Sequence, residues 1–192
     1  MNAYVDFILG FLLSPRDEIE KVKNNNLAVP AFINLLIIVI AISISGQILY
    51  PYGGVKSIVL LVLNTTLNAA LILSFIFIAS GWYHFISALF GKHGEIKNTI
   101  TLMALSLSPL LLSLPSLIIL LKLTGNPVMF YSVIMFLIFI WIFSLSFISI
   151  RLNYGLSARE TAVVLFSPVI FIPLFFVIIT ISLVIFAYAI FT

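Results

Sequence analysis

The side chains best suited to chemistry lie in or beside one charged turn, residues 91–97. His84 precedes this turn, and His93 and Glu95 lie within it. Imidazole titrates near neutral pH, and together with a carboxylate it can bind a divalent metal. Two histidines and one carboxylate are few ligands, however, and they have no recognised metal-site spacing. We therefore predict that the protein binds no metal and no cofactor. If it does bind a metal, the candidate ligands are His84, His93 and Glu95.

A second group of polar residues lies inside long apolar runs. Asn64 and Asn68 are four residues apart and so share one helix face, while Ser106 lies near Pro109. A proline frees a backbone carbonyl that a nearby serine can satisfy. Amides in such runs usually form hydrogen bonds between helices, and a polar substrate path is the alternative interpretation. The candidates for helix packing or for a polar cavity are Asn64, Asn68, His84, Ser106 and Pro109.

Catalytic residues are not indicated. The sequence has no HExxH, GxSxG, Walker A or GxGxxG motif, and it has no cysteine. Every Asp and Glu falls outside the apolar cores, whereas ion-coupled pumps generally need an intramembrane carboxylate or base. We predict that the protein is not an enzyme.

The composition determines which elements position these residues. The chain is 63% hydrophobic and only 8% charged, with a mean hydropathy of +1.31. Soluble domains carry roughly 25% charged residues, so the bilayer must be the solvent here. The Lys and Arg residues are not clustered as nucleic-acid binding requires.

The predicted fold is an all-α integral membrane protein with five transmembrane helices in a bundle. Residues 1–29 form an interfacial and cytoplasmic N-terminal segment, in which 3–13 is too short to span and Pro15 opens a short helix. Residues 30–192 form the membrane domain. Its predicted spans are 30–49, 57–80, 98–121, 128–150 and 161–187.

Three details of the spans can be predicted. After 57–80, the helix either continues towards the turn or bends at Gly81. Prolines interrupt two spans, at Pro109 and Pro115 in the third and at Pro168 and Pro173 in the fifth. Ser157 and Glu160 have the spacing of a capping box at the start of the fifth span.

The orientation follows from the basic residues. With five spans, seven lie on one side and two, Lys56 and Lys122, on the other; the seven are Arg16, Lys21, Lys23, Lys92, Lys97, Arg151 and Arg159. Lys and Arg favour the cytoplasmic side. We therefore expect a multi-pass protein of the cell membrane with a cytoplasmic N-terminus and with Thr192 outside.

Several short motifs occur in a characteristic order. They are Pro15 before the first span, Leu89-Phe90-Gly91 with Gly94, Ala104 to Pro109 (ALSLSP), Trp141, and Tyr154-Gly155-Leu156-Ser157 leading to Ala162. In this order the chain resembles the Yip family, named for proteins that interact with Ypt/Rab GTPases, and in particular its prokaryotic branch. The resemblance covers about residues 12–190. It implies five spans with a cytoplasmic N-terminus, and it implies GTPase binding only for eukaryotic relatives.

The sequence thus favours a non-enzymatic membrane organiser or adaptor. Its expected partners are membrane lipids, a protein that binds the cytoplasmic turns 91–97 and 151–160, and a further copy of the chain; nucleic acid is not expected. The alternative is a lipid or small-solute translocator, favoured by the proline-containing spans and by Asn64 and Asn68. Broken helices mark transporter sites near the midplane of the membrane.

Overall fold

The computed structural model describes residues 2–24, 27–49, 56–123 and 126–191, and its regular elements in these ranges are all helical. Their order along the chain is α1 Asn2–Leu13, α2 Pro15–Asn24, α3 Ala28–Leu49, α4 Lys56–Leu89, α5 Ile96–Ser106, a 3₁₀ helix Ser108–Leu112, α6 Ser113–Leu123, α7 Pro127–Tyr154 and α8 Ala158–Phe191. The predicted all-helical class is confirmed for this part of the chain.

Four helical stretches within the described residues are long and apolar enough to cross a membrane. They are Ala28–Leu49, Ile58–Leu89, Ile96–Leu123 and Pro127–Tyr154. Three of them contain the predicted spans 30–49, 98–121 and 128–150, and Ile58–Leu89 covers all but the first residue of 57–80. The fifth predicted span, 161–187, lies within the helix α8.

The N-terminal segment folds into two helices that pack against each other. Helix α2 begins at Pro15, because the fixed φ of proline suits the first helical position. It buries Ile19 and Val22 and packs against α5 and α7. Helix α1 has only 12 residues, and its interfacial position remains a prediction.

Helix α4 continues without interruption through Gly81 to Leu89, which confirms the alternative of a helix that continues towards the turn. Its 34 residues correspond to about 51 Å at 1.5 Å per residue, more than the roughly 30 Å of a hydrocarbon core. The C-terminal end of α4 therefore reaches beyond a single crossing and carries His84 to the turn that follows.

The third span is interrupted, as Pro109 predicted. Helix α5 ends at Ser106, and a 3₁₀ helix separates it from α6. Pro115 does not interrupt a helix. It lies in the first turn of α6, where its missing N–H would have no helical partner. The predicted interruption of the fifth run is also wrong, because α8 continues as one helix through Pro168 and Pro173.

Helix α5 has a central position in the bundle and contacts α2, α3, α4 and α7. Leu102 and Leu105 are fully or almost fully buried in the main apolar cluster, together with Phe11 of α1 and Ile150 of α7. Many large apolar side chains of the long helices are exposed, as expected for surfaces that face lipid. The start of α5 is thus fixed from several sides, and it forms one wall of the site described next.

Candidate functional site

Turns 91–97 and 151–160 each contain a glycine just after the end of a long helix. At the end of α4, Gly91 has a φ of 68°, and the Lys92 N–H donates to the Ser87 carbonyl at 3.2 Å. At the end of α7, Gly155 has a φ of 62°, and the Leu156 N–H donates to the Arg151 carbonyl at 3.0 Å. Glycine is the residue that adopts this left-handed conformation without strain.

The two turns are in direct contact. A Cβ atom added to Gly94 would lie 2.6 Å from Cδ1 of Tyr154 and 3.0 Å from the backbone oxygen of Asn153. Only a residue without a side chain therefore fits beneath the Tyr154 ring. We call residues 91–97 and 151–160 together the joined turns.

A chain of hydrogen bonds continues inward from this contact. The Tyr154 hydroxyl lies 3.0 Å from Nδ1 of His84 and 2.6 Å from Oγ1 of Thr99. Nδ2 of Asn153 donates to Oγ1 of Thr99 at 2.9 Å and to the carbonyl oxygen of Glu95 at 3.3 Å. Thr99, Asn153 and Tyr154 are buried, whereas His84 is half-buried. We call these side chains and the Glu95 carbonyl the turn network.

One arrangement of protons satisfies all these contacts. Thr99 Oγ1 lies 3.2 Å from the Glu95 carbonyl and donates to it. Its two lone pairs then accept from Asn153 and from the Tyr154 hydroxyl, which in turn accepts from Nδ1–H of His84. We therefore assign to His84 the tautomer that is protonated at Nδ1. This makes His84 the outer end of a network that connects α4, α5 and α7.

The predicted capping box is confirmed. The Ser157 N–H donates to Oε2 of Glu160 at 2.7 Å, and the Glu160 N–H donates to Oγ of Ser157 at 3.3 Å. Hydrogen bonds that the Glu160 carboxyl accepts from the Ser157 backbone and side chain lower its pKa, and the charge of Lys92 lowers it further. The attraction to Lys92 acts between the two turns.

Helix α2 adds a third segment to the same face. Nζ of Lys23 donates to the carbonyl oxygen of Leu152 at 3.2 Å, close to the end of α7. The N-terminal segment and the joined turns, which the sequence placed on one side of the membrane, therefore lie together in the fold.

The three metal candidates do not converge. Nδ1 of His84 faces the Tyr154 hydroxyl, and the side chains of His93 and Glu95 are exposed. Within the described ranges, no three His, Cys, Asp or Glu side chains are close enough to hold a metal ion. The contribution of Glu95 to the turn network is its backbone carbonyl, not its carboxylate.

The other candidate residues lie at contacts between helices. Nδ2 of Asn68 donates to Oγ of Ser43 on α3 at 3.2 Å and to Oδ1 of Asn64 at 3.3 Å. Ser106 is buried, and its hydroxyl lies 3.3 Å from that of Ser149 on α7. Pro109 is buried in the 3₁₀ helix.

Each of two Ser-Pro pairs places a serine hydroxyl between two helices. Ser108 donates to the Leu105 carbonyl, which Pro109 deprives of its helical partner, and accepts from Nδ2 of Asn34 on α3 at 3.0 Å. In α8, Ser167 similarly donates to the Val164 carbonyl and accepts from Nε1 of Trp82 on α4 at 2.7 Å. Sequence reasoning anticipated the serine–carbonyl bonds, but it did not identify these partner helices.

The sequence also gave no indication that Tyr154 and Thr99 are partners of His84. Both residues lie far from His84 along the chain, and neither is unusual for its run. The available indication was that Gly94 lies in one turn and the aromatic Tyr154 lies beside another. The sequence does not show that these two turns meet, so it does not identify Gly94 and Tyr154 as a contact.

The helical fold and its long apolar helices identify the class of this protein, which is a multi-pass membrane protein. The family model described as Yip1 domain matches residues 9–191, nearly the whole chain, and the protein belongs to this family. The resemblance found in the sequence is thereby confirmed. Searches of curated proteins and of solved structures found no match to this chain.

Proposed function

We propose that this protein is a non-enzymatic membrane organiser that binds a cytoplasmic protein partner through the joined turns. The observation that supports this most directly is the packing of Tyr154 on Gly94, with the turn network beneath it. Loops that are fixed before binding lose less conformational entropy when a partner docks. A pair of turns held in this way is better suited to recognition than two independent loops.

The charges of the joined turns indicate the kind of partner. They carry four basic residues, Lys92, Lys97, Arg151 and Arg159, and two acidic ones, Glu95 and Glu160. The basic residues other than Lys92 are exposed. An acidic segment of a protein complements this surface, and its binding would weaken as salt screens the charges. A second copy of the chain within the membrane is part of the same proposal.

The proposal requires that the joined turns face the cytoplasm, and this follows if α8 is a fifth span. Helix α8 has 34 residues, about 51 Å in length, which is enough to cross a bilayer. With five spans, the majority of basic residues, the joined turns and the N-terminus are cytoplasmic, and Thr192 is outside the cell. We propose the cell membrane as the location of the protein.

We assign no catalytic role to the turn network. The hydroxyl beside the His84 imidazole is that of Tyr154, which accepts from Nδ1–H and so does not lose its proton to this nitrogen. Thr99 lies behind Tyr154 and is only 2% exposed. A substrate would reach it only if the joined turns separated. The network is better explained as the support of a binding surface.

Site-specific photocrosslinking tests the proposal in living cells. A photoreactive amino acid replaces Lys97 in one turn or Arg159 in the other, both exposed, and Val128 at the opposite end of α7 serves as the control position. We expect the same protein adduct from both turns and none from Val128. Adducts of equal yield at all three positions, or none at either turn, would contradict the proposal.

A lipid or small-solute translocator is the second candidate function, and one feature favours it. A groove of about 300 Å³ lies beside the interrupted third span and is lined by Leu107, Phe139, Phe143 and Ser146, among others. A break beside a groove gives a lipid chain or a small solute a place to enter. Purified protein in liposomes would then scramble labelled lipid or release solute faster than empty vesicles, and equal rates would exclude this function.

A further inference from the structure

A groove between α1, α2 and the start of α3 contains a buried carboxylate. The groove has a volume of about 540 Å³, and Tyr4, Asp6, Phe7, Glu18, Lys21, Leu27 and Pro30 line it. This volume is within the range of small-molecule sites, roughly 300–1,000 Å³. The groove is separate from the joined turns.

Glu18 is the unusual member of this lining. Its side chain is 9% exposed, and Oε1 pairs with Nζ of Lys21 at 2.6 Å. Oε2 is buried and has no hydrogen-bond partner among the described residues. Gly10 of α1 approaches so closely that a Cβ atom there would lie 2.7 Å from Oε1. A buried carboxylate oxygen without a donor is costly. Because Oε2 is closed off from solvent, a ligand in the groove removes this cost when the Glu18 carboxylate turns towards it.

The charges of the residues that line the groove favour a ligand with a cationic group. Asp6 and Glu18 are both acidic, and Lys21 is the basic residue among the lining residues, so one negative charge is uncompensated. Calcium is not favoured, because it requires 6–8 oxygen ligands, and no three His, Cys, Asp or Glu side chains of the described residues are close enough to hold another metal ion. A primary ammonium is favoured, since it donates up to three hydrogen bonds.

The surroundings of the groove indicate that this ammonium belongs to a lipid. Val5, Leu9 and Leu13 recur every four residues on α1 and are exposed, at 47%, 49% and 77% respectively. Such a stripe on a short helix is suited to the boundary between headgroups and acyl chains. Lys21 has a side chain that is 60% exposed, which leaves it able to attract a phosphate. The groove therefore offers both signs of charge beside an apolar surface.

We propose that this groove binds the headgroup of an ethanolamine phospholipid, with the ammonium at Glu18 and Asp6 and the phosphate beside Lys21. We call it the headgroup groove. The proposal rests on α1 lying at the membrane interface and does not depend on the partner proposed for the joined turns.

Lipid competition on the full chain tests this proposal without any variant. The protein is purified in detergent and exposed to equimolar ethanolamine and choline phospholipids with identical acyl chains, and the bound lipids are counted by native mass spectrometry. Choline carries a methylated nitrogen that cannot donate a hydrogen bond. We expect about tenfold enrichment of the ethanolamine lipid, the magnitude of one charge-assisted hydrogen bond. Equal binding of the two lipids would overturn the proposal.

Three variants locate the site. Glu18→Gln keeps the shape of the side chain but removes its charge, and we expect the enrichment to disappear. Glu20→Gln changes the net charge equally at an exposed position of α2 and should leave it unchanged. Asp6 is also exposed, and Asp6→Asn should reduce the enrichment severalfold. Unchanged enrichment in a folded Glu18→Gln variant would overturn the proposal. If Glu18→Gln does not fold, unchanged enrichment in Asp6→Asn would overturn it.

A soluble amine is the remaining source of the same chemistry. Glycerophosphoethanolamine has the same headgroup but no acyl chains, and we expect it not to displace the bound lipid at equal concentration. Displacement at equal concentration would show that the groove recognises the soluble amine and would overturn the assignment to a lipid.

Discussion

Tyr154 packs its ring directly on Gly94, so closely that even one methyl group at position 94 would overlap the ring carbons. This contact holds the turns that follow α4 and α7 against each other. Because the Tyr154 hydroxyl also meets His84 and Thr99, one side chain connects the surface of the joined turns with the buried start of α5.

Gly94→Ala should destabilise the protein. Its methyl group would lie 2.6 Å from a ring carbon and 3.0 Å from a backbone oxygen that cannot rotate away. Overpacking of this kind costs about 1–3 kcal/mol, measurable as a lower thermal unfolding temperature in detergent. Gly81→Ala is the matched control, since nothing lies within 4 Å of a Cβ atom there. Equal unfolding temperatures for the two variants would contradict the close contact.

Tyr154→Phe keeps the ring but removes the hydroxyl that connects His84 to Thr99. We expect a loss of about 1 kcal/mol in the free energy of unfolding, as for one net hydrogen bond. In a double-mutant cycle with His84→Ala, the two losses should not be additive, because each variant breaks the same bond. Strict additivity would mean that His84 and Tyr154 do not interact.

Ser108→Ala should cost more than an ordinary serine substitution. It would leave both the Leu105 carbonyl and the Asn34 amide without the partner that they now have. We expect a loss of about 1–3 kcal/mol in unfolding free energy. Ser144→Ala is the control, because Ser144 is exposed and its hydroxyl bonds to the Ile140 carbonyl within a regular helix. A similar loss in both variants would contradict the role given to Ser108.

The capping box at the start of α8 should stabilise the protein at neutral pH and lose this effect in acid. The pKa of the Glu160 carboxyl lies below its ordinary value of 4.5 in the folded protein. Its contribution to stability is therefore complete above pH 4.5 and is lost as the pH falls through the lowered pKa. The unfolding temperatures of wild type and Glu160→Ala, measured between pH 7 and pH 3, should converge in acid. A difference that stays constant below pH 4.5 would contradict this linkage.

The long helices were the most predictable part of the fold. Helices α3 and α7 begin and end within four residues of the predicted spans 30–49 and 128–150, because the length of an apolar run determines where a helix can cross a membrane. The end of α4 was less predictable, since a helix can continue into the interface after its apolar core has ended.

The contacts between distant residues were not predictable in the same way. Periodicity places Asn64 and Asn68 on one face, but only the packing of α3 against α4 gives Asn68 its partner Ser43. Glu18 lies in the most charged stretch of the chain, and charged side chains are mostly exposed. It is buried because α1 folds back over α2 and brings Gly10 against its carboxylate.

The central claim is that the joined turns act as one binding surface, and photocrosslinking from position 97 in the Gly94→Ala and Gly81→Ala backgrounds tests it most directly. If the surface depends on the contact between Gly94 and Tyr154, the adduct obtained with wild type should persist in Gly81→Ala. In Gly94→Ala, an expected cost of about 1–3 kcal/mol corresponds to roughly 5- to 150-fold in the equilibrium between joined and separated turns, so the adduct should fall at least severalfold. An adduct of undiminished yield in a folded Gly94→Ala variant would contradict the claim.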